Sequence, residues 1–303
     1  MQICQLMEMD APTVVPHTGK TDKNAPVIDV TPVMSWMPDV KPKGVLVCVH
    51  GLGLHKGTYA PFGERMAKAG YAIYAMDVRG FGEFQQLPGD RKCDFSKCMD
   101  DVRDALKLVH EMHKDVPVYV LGESMGGAIA MRITEEHPEL VDGLISSVPG
   151  AKRKNAGGMT MKVGMKLLTG GANAEVNVGE SVVKQSTKKE ELRKAWSEDQ
   201  LARLTLTAGE LMQFQHFMNE NEKYANKITK TPVLMVQGAQ DELVKQSDNQ
   251  AILDRIGCED KLLVFVANGE HLIFEEGQFD ESDVALVLQW LDAPSPKRKR
   301  IEG

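Results

Sequence analysis

Between Val116 and Met131 the chain reads Val-Pro-Val-Tyr-Val-Leu-Gly-Glu-Ser-Met-Gly-Gly-Ala-Ile-Ala-Met. An apolar, β-rich run passes into Gly122-Glu123-Ser124-Met125-Gly126, and an alanine- and methionine-rich stretch of helical character follows at once. A strand that turns straight into a helix about one serine puts that serine at the apex of a sharp, strained turn. The positions two before and two after it then have no room for side chains, which accounts for both glycines. The helix behind Ser124 would point its free N–H groups and positive dipole end at the turn. Glycine and serine are common turn residues, so G-x-S-x-G alone says little. The strand before it and the helix after it give the pattern its weight.

The rest of the chain alternates in the same way. Val45–Val49 is an uninterrupted apolar run ending in His50-Gly51, as expected of a strand covered on both faces. A helix is expected over Phe62–Ala69 and a strand over Tyr71–Met76. Between Cys98 and Lys114, Met99, Val102, Ala105, Leu106, Val109 and Met112 recur at gaps of three and four, which define one buried helix face. Leu140–Val148, Val233–Val236 and Leu262–Val266 read as further strands, and Ser282–Leu291 as a closing helix. An antiparallel lead-in is expected around Val27–Trp36. This rhythm specifies an α/β fold with a doubly wound, mainly parallel sheet.

The interval from Ala151 to Lys230 breaks the rhythm. It is too long for a loop and has no buried-strand run, but it carries helical signals. Met161, Met165 and Leu168 share one face, and Leu211, Phe214, Phe217 and Met218 another. Thr187-Lys-Lys-Glu190 fits a capping box opening a charged helix, with Glu190 and Lys194 as an i,i+4 pair. Gly157-Gly158 and Gly170-Gly171 read as turns. The interval is expected to be a helical cap inserted in the core, its apolar stripes divided between its own packing and the lining of an apolar tunnel. The expected organisation is therefore a lead-in over 1–43, a core over 44–150 and 231–292, a cap over 151–230 and a basic tail over 293–303.

A serine nucleophile needs a base, and the base needs a carboxylate to orient it. Asp241 follows the strand at Val233–Val236, and His271 follows the strand at Leu262–Val266. Serine, acid and histidine thus come in one of the known orders, each just past a strand. The other histidines tested (His17, His110, His113, His137 and His216) and the acids Asp248 and Asp260 lack that position. His50-Gly-Leu-Gly-Leu-His55 also lies at a strand end. It is expected to supply the Leu52 backbone N–H, which with that of Met125 would cradle an oxyanion, while His50 itself reads equally well as a buried structural residue.

Composition narrows the class. The chain of 303 residues has room for one large α/β core with a modest insertion. A formal charge of −7 gives no general attraction to nucleic acid. Lys297-Arg-Lys-Arg300 is the local exception and reads as a solvated basic tail. Five cysteines, an odd count without C-x-x-C spacing, argue against disulfides and zinc, and Cys48 in its apolar strand is expected to be packing. No basic-then-apolar leader is visible and no stretch approaches the ~20 apolar residues of a membrane span, so a cytoplasmic protein is expected.

Taken together, these fragments resemble the α/β-hydrolases of the monoglyceride lipase and lysophospholipase group, relatives of the serine aminopeptidase-like hydrolases. The likeness runs from Pro42 to Leu291. It is carried by His50–His55, Ala69–Asp77, Arg79-Gly-Phe-Gly82, Gly122–Gly127, Gly238–Asp241 and Gly269–His271. The resemblance implies a cap where the rhythm breaks and hydrolysis of carboxylic esters without a cofactor, the substrates being monoacylglycerols, lysolipids or small aryl esters. Two departures bear on substrate rather than reaction. Glu123 stands where such lipases usually carry histidine, either stabilising a nearby imidazolium or pointing away, and Phe81-Gly-Glu-Phe84 replaces a His-Gly-Arg-Ser type run. The expectation is a serine ester hydrolase for lipid-like or small apolar esters. An acyltransferase or peptidase using the same triad, or a binding protein on a hydrolase scaffold, stays open as the alternative. An apolar cap rim would suit transient contact with a lipid surface, although no amphipathic stretch marks one.

Overall fold

The computed structural model describes residues 13–16, 30–87, 89–150, 152 and 156–293. Cys4, His17, Val27–Asp29 and the basic Lys297–Arg300 segment lie outside the described residues, as does the side chain of Met161.

The first half of the chain lays down β1 (Thr13–Pro16), β2 (Val30–Trp36), β3 (Val45–Val49), α1 (Ala60–Lys68) and β4 (Ala72–Met76). Next come α2 (Phe95–Met112), β5 (Val118–Glu123), α3 (Met125–Glu136) and β6 (Gly143–Ser147). The chain then leaves the sheet for α4 (Ala156–Gly170), β7 (Glu175–Asn177), α5 (Gly179–Ser186), α6 (Glu190–Glu198), β8 (Thr205–Thr207), α7 (Ala208–Asn219) and α8 (Asn221–Ala225). It returns with β9 (Val233–Gly238), α9 (Gln246–Arg255), β10 (Lys261–Val266) and α10 (Glu281–Asp292).

Eight strands form one sheet in the order β1-β2-β4-β3-β5-β6-β9-β10. The pairs β1–β2 and β2–β4 are antiparallel, and every pair from β4 to β10 is parallel. Side chains alternate between the faces of a strand. Val45, Val47 and Val49 accordingly join the α2 and α3 residues Val102, Leu106 and Ile129 in one core, while Leu46 and Cys48 join Phe62 of α1 and Val287 of α10 in another. Helices on both faces explain why β3 is apolar throughout. The mainly parallel, doubly wound sheet expected from the sequence is the one observed.

Local boundaries differ from the sequence pattern where a cap or turn intervenes. Helix α2 starts at Phe95, three residues early, because the Asp94 carboxylate accepts from the Ser96 and Lys97 N–H groups. Its last apolar residue, Met112, is exposed. Strand β6 starts at Gly143 rather than Leu140, since Pro138–Leu140 make a 3₁₀ turn.

The segment between β6 and β9 holds the expected helices and, unexpectedly, a two-stranded antiparallel ribbon of β7 and β8. Each ribbon strand buries a single residue, Val176 or Leu206, so no apolar run announced it. Gly157 and Gly158 lie in the first turn of α4 and not in a connecting turn. Thr187 and Glu190 do not form a capping box: α6 has Lys189 at its N-cap with no side-chain cap, and the Thr187 hydroxyl donates to Glu270 instead. Lys194 pairs with Glu198 and not with Glu190. Capping boxes occur at Thr207–Glu210, opening α7, and Asp280–Asp283, opening α10. On α4, Met165 and Leu168 face solvent, whereas Leu211, Phe214, Phe217 and Met218 of α7 are buried as expected.

That segment is tied to the sheet layer by specific contacts. Phe217 stacks on Phe95 at 4.2 Å, and the Arg132 guanidinium of α3 lies between the Phe217 and Tyr224 rings at 3.7 and 3.9 Å. Arg203 makes a two-pronged ion pair with Glu210 at 2.9 and 3.0 Å, and Glu210 also accepts the Cys93 N–H.

The turn at Ser124 has very little room. Ser124 sits at φ 53°, a region L-residues rarely occupy. A β-carbon on Gly126 would lie far inside contact distance of the Val49 carbonyl, and one on Gly122 would strike the Gly126 carbonyl. Gly126→Ala is therefore expected to destabilise the fold by about 1–3 kcal/mol or more. Urea unfolding would measure it; an unchanged midpoint would contradict the packing described.

Candidate active site

Parallel strands deliver their C-terminal ends to one edge of the sheet, and the loops there carry the chemistry-bearing residues. Ser124 stands between β5 and α3, Asp241 in the loop after β9 and His271 in the loop after β10. The structure brings these three together. His271 Nε2 lies 3.0 Å from Ser124 Oγ, and His271 Nδ1 lies 2.9 Å from Asp241 Oδ2. Asp241 is fully buried and His271 nearly so, while Ser124 keeps 9% of its surface exposed.

Asp241 is held as an anion. Burial opposes its charge, but the His271 imidazole and the Val244 and Leu243 N–H groups outweigh it and keep the carboxyl below the ordinary carboxylate range. Those N–H groups donate to Oδ1 at 3.0 and 2.7 Å, and the Gln237 amide donates to Oδ2 at 3.2 Å. An ionised carboxylate only accepts, so His271 must donate from Nδ1. The Nε2 lone pair is then free to accept the Ser124 hydroxyl proton.

Leu52 lies in the loop after β3 and lines the same cavity as Ser124 and His271. Met125 is the first residue of α3, where backbone N–H groups have no partner within the helix. His50 takes a structural role. Its Nδ1 donates to Gly51 O at 2.8 Å, its Nε2 accepts from Val78 N at 2.9 Å, and burial holds it neutral by lowering its pKa to about 4. Of the other described candidates, His110 pairs with the Leu140 carbonyl, His113 with Tyr74, His137 with Glu139 and Asp248 with Lys152; His216 lies on α7 and Asp260 just before β10, neither among the residues that line the cavity at Ser124.

The cavity at Ser124 is walled by Leu54, Val183, Trp196, Leu204, Phe214 and Leu272. Ser124 and His271 are among its few polar groups. A second, narrow cleft also reaches Ser124, past Gly150, Gln215 and Met218. Such a site can hold an apolar acyl group with its carbonyl at a hydroxyl poised to lose its proton.

Several residues around the site escaped the sequence pattern. Gln237 braces Asp241, and its own carbonyl accepts from Asn249. Glu270 accepts from the Thr187 hydroxyl and from Lys188 N, while His271 N donates to Ser186 O, so the histidine loop is stitched to α5 and the turn after it. On the other side Arg203 N donates to Gly53 O and His55 pairs with Asp199 at 2.7 Å. Glu123 does not point away. It is buried and accepts from Ile273 and Phe274 N. Glu123 itself stood out in the sequence as the carboxylate beside Ser124; its partners 150 and 151 residues away did not.

The family model described as serine aminopeptidase, S33, matches residues 40–278. A monoacylglycerol lipase of Mycolicibacterium smegmatis is 27% identical over 80% of this chain and 85% of its own length. Human monoglyceride lipase is 28% identical over 80% of this chain and 79% of its own. Among solved structures, a soluble variant of monoglyceride lipase from Saccharomyces cerevisiae superposes with a TM-score of 0.74 at 20% identity, covering 92% of this chain and 96% of that one. At that identity the likeness is one of fold.

The hydrogen-bond order has a measurable consequence. Asp241→Asn can donate to His271 and so favours the wrong tautomer, and it should slow the reaction of Ser124 with an acylating reagent by about 10⁴-fold while leaving the fold intact. Comparable labelling rates for the two proteins would refute the assigned tautomer.

Proposed function

The chain belongs to the serine aminopeptidase (S33) family and is a serine ester hydrolase of the lipase type; we propose that its substrates are carboxylic esters of lipid-like or small apolar acids, monoacylglycerols among them, and that Ser124, His271 and Asp241 carry the reaction. The observation that supports this most strongly is the hydrogen-bonded chain Ser124–His271–Asp241 opening into an apolar cavity. In this reading Ser124 Oγ attacks the ester carbonyl carbon as His271 Nε2 takes its proton. The resulting oxyanion is held by the Leu52 and Met125 N–H groups, each worth ~2.7–4 kcal/mol in the transition state. Collapse expels the alcohol with the proton from His271 and leaves an acyl group on Ser124. Water then attacks with His271 again as base, releasing the acid and restoring the hydroxyl.

Residues 151–230 act in this proposal as a cap over a core of 44–150 and 231–292. Val183, Trp196, Leu204 and Phe214 come from that segment, so it shapes the acyl cavity. The names of the similar proteins favour a glycerol ester, and the apolar walls suit its acyl chain. Exposed Met165 and Leu168 on α4 and Met212 on α7 supply apolar side chains suited to transient contact with a lipid surface. Among the described residues no helix is long and apolar enough to cross a membrane.

The test uses p-nitrophenyl esters of increasing chain length, 1-monoacylglycerols and a fluorophosphonate probe. The wild type should hydrolyse the esters and take up one probe at Ser124, and Ser124→Ala should lose both. A wild type that is unlabelled and inert on every ester would instead favour a binding protein on a hydrolase scaffold.

A further inference from the structure

Glu123 is immediately adjacent to the nucleophile, yet acyl transfer as described makes no use of its side chain. It closes β5 and is fully buried. Its Oε1 accepts from Ile273 N at 2.7 Å and its Oε2 from Phe274 N at 3.1 Å, two and three residues beyond His271. The next residue, Glu275, is buried just as completely. Its Oε1 accepts from Gly51 N at 3.2 Å, immediately before Leu52, and the Thr58 hydroxyl lies beside the same carboxyl. One carboxyl therefore ties the nucleophile strand to the histidine loop, and the other ties the histidine loop to the loop proposed to bind the oxyanion.

Two carboxylates taken out of water side by side do not both ionise readily. Burial pushes Glu123 up to about 7, against the pull of its two N–H donors and of His271. Burial, and then the Glu123 charge, push Glu275 up to about 8. The other titratable groups facing the pair are Cys48 on β3 and Tyr59 in the turn before α1. Both are driven further toward their neutral forms by burial and by Glu123, and Tyr59 donates to the Val49 carbonyl at 3.0 Å. With two N–H donors and a neighbouring imidazole, Glu123 is the better placed to carry the charge. Glu275 has a single N–H donor, and the Thr58 hydroxyl beside it already donates to the His55 carbonyl at 2.8 Å, so Glu275 is the better placed to keep the proton.

We propose that Glu123 and Glu275 are positioning residues that hold one proton between them and, in that singly charged state, keep the histidine loop and the oxyanion loop in register with Ser124. This rests on the Ser124–His271–Asp241 reading above. Loss of the shared proton puts a second charge in the same dry site and drives the two loops apart. Acyl transfer calls for a base that accepts a proton, so withdrawing protons as pH rises does not by itself oppose the work of the Ser-His-Asp unit. An alkaline loss of activity therefore reports on the pair.

The rate of Ser124 labelling by a fluorophosphonate, and kcat/KM for a p-nitrophenyl ester, would be measured from pH 6 to 10. For the wild type both should fall about ten-fold between pH 7 and pH 9, as expected for one ionisation near 8. Glu275→Gln keeps an acceptor for Gly51 N but cannot ionise, so its ratio of rates at pH 9 and pH 7 should rise toward one. The fall needs both charges, so Glu123→Gln should remove it as well, and either variant suffices should the other fail to fold. Stability gives a second readout. Both groups bind protons more tightly folded than unfolded, so the stability they confer is present below the ordinary carboxylate pKa and is lost as pH rises through about 8. Glu275→Gln should flatten the corresponding decline in Tm. A wild type that is labelled at pH 7 and equally fast at pH 9 overturns the proposal while leaving the nucleophile assignment standing. So does a Glu275→Gln enzyme that keeps the alkaline fall. No labelling at pH 7 would instead refute the reading of Ser124 itself.

Discussion

The backbone turn at Ser124 is the constraint on which the rest of the site depends. With φ at 53°, the residue holds a conformation that costs free energy and persists only where its surroundings leave no alternative. Those surroundings are close backbone contacts: Val49 against Gly126, Gly126 against Gly122, and the Ser124 N–H donating to Ser147 O at 2.8 Å. The strands on either side of β5 thus hold the apex between them. Because all of these strands run parallel, the loops after β3, β9 and β10 emerge on the same edge and reach that apex.

Around this fixed point the structure is stitched by polar groups rather than by apolar packing alone. Asp241 is held by two backbone N–H groups and Gln237, and it in turn fixes the His271 ring. The segment between β6 and β9 grips both flanking loops, through Ser186, Thr187 and Lys188 on the histidine side and through Asp199 and Arg203 on the Gly53–His55 side. A shift of that segment would therefore move the proposed base and oxyanion donors as well as the cavity wall. Substrate shape and catalytic geometry are coupled through the same handful of hydrogen bonds.

The parts of this arrangement that were legible in the sequence share a physical property: each imposes a local pattern. Buried parallel strands must be apolar on both faces, so Val45–Val49 and Val233–Val236 stood out. The turn at Ser124 excludes side chains on both sides, so its glycines stood out. Several misread parts turn on where the rest of the fold lies. Thr187 looked like a helix cap but bonds Glu270, 83 residues away. Met165 and Leu168 looked like a packing face but project into solvent. The β7–β8 ribbon buries one side chain per strand, too little to leave a periodic trace.

The sequence by itself determined that strands and helices alternate in a mainly parallel sheet, and the identity of three residues at strand ends; the edge strand β1 left no trace in it. These follow from local sterics and from burial on two faces, both of which act over a few neighbouring residues. Only the tertiary structure decided which imidazole nitrogen meets Ser124, what holds Asp241 ionised, and that Glu123 faces the histidine loop rather than solvent. Those outcomes depend on distances between segments far apart in the chain, and on the loss of water around charges that no local pattern reveals. A carboxylate written into the turn beside Ser124 acquired its meaning only when folding buried it next to Glu275.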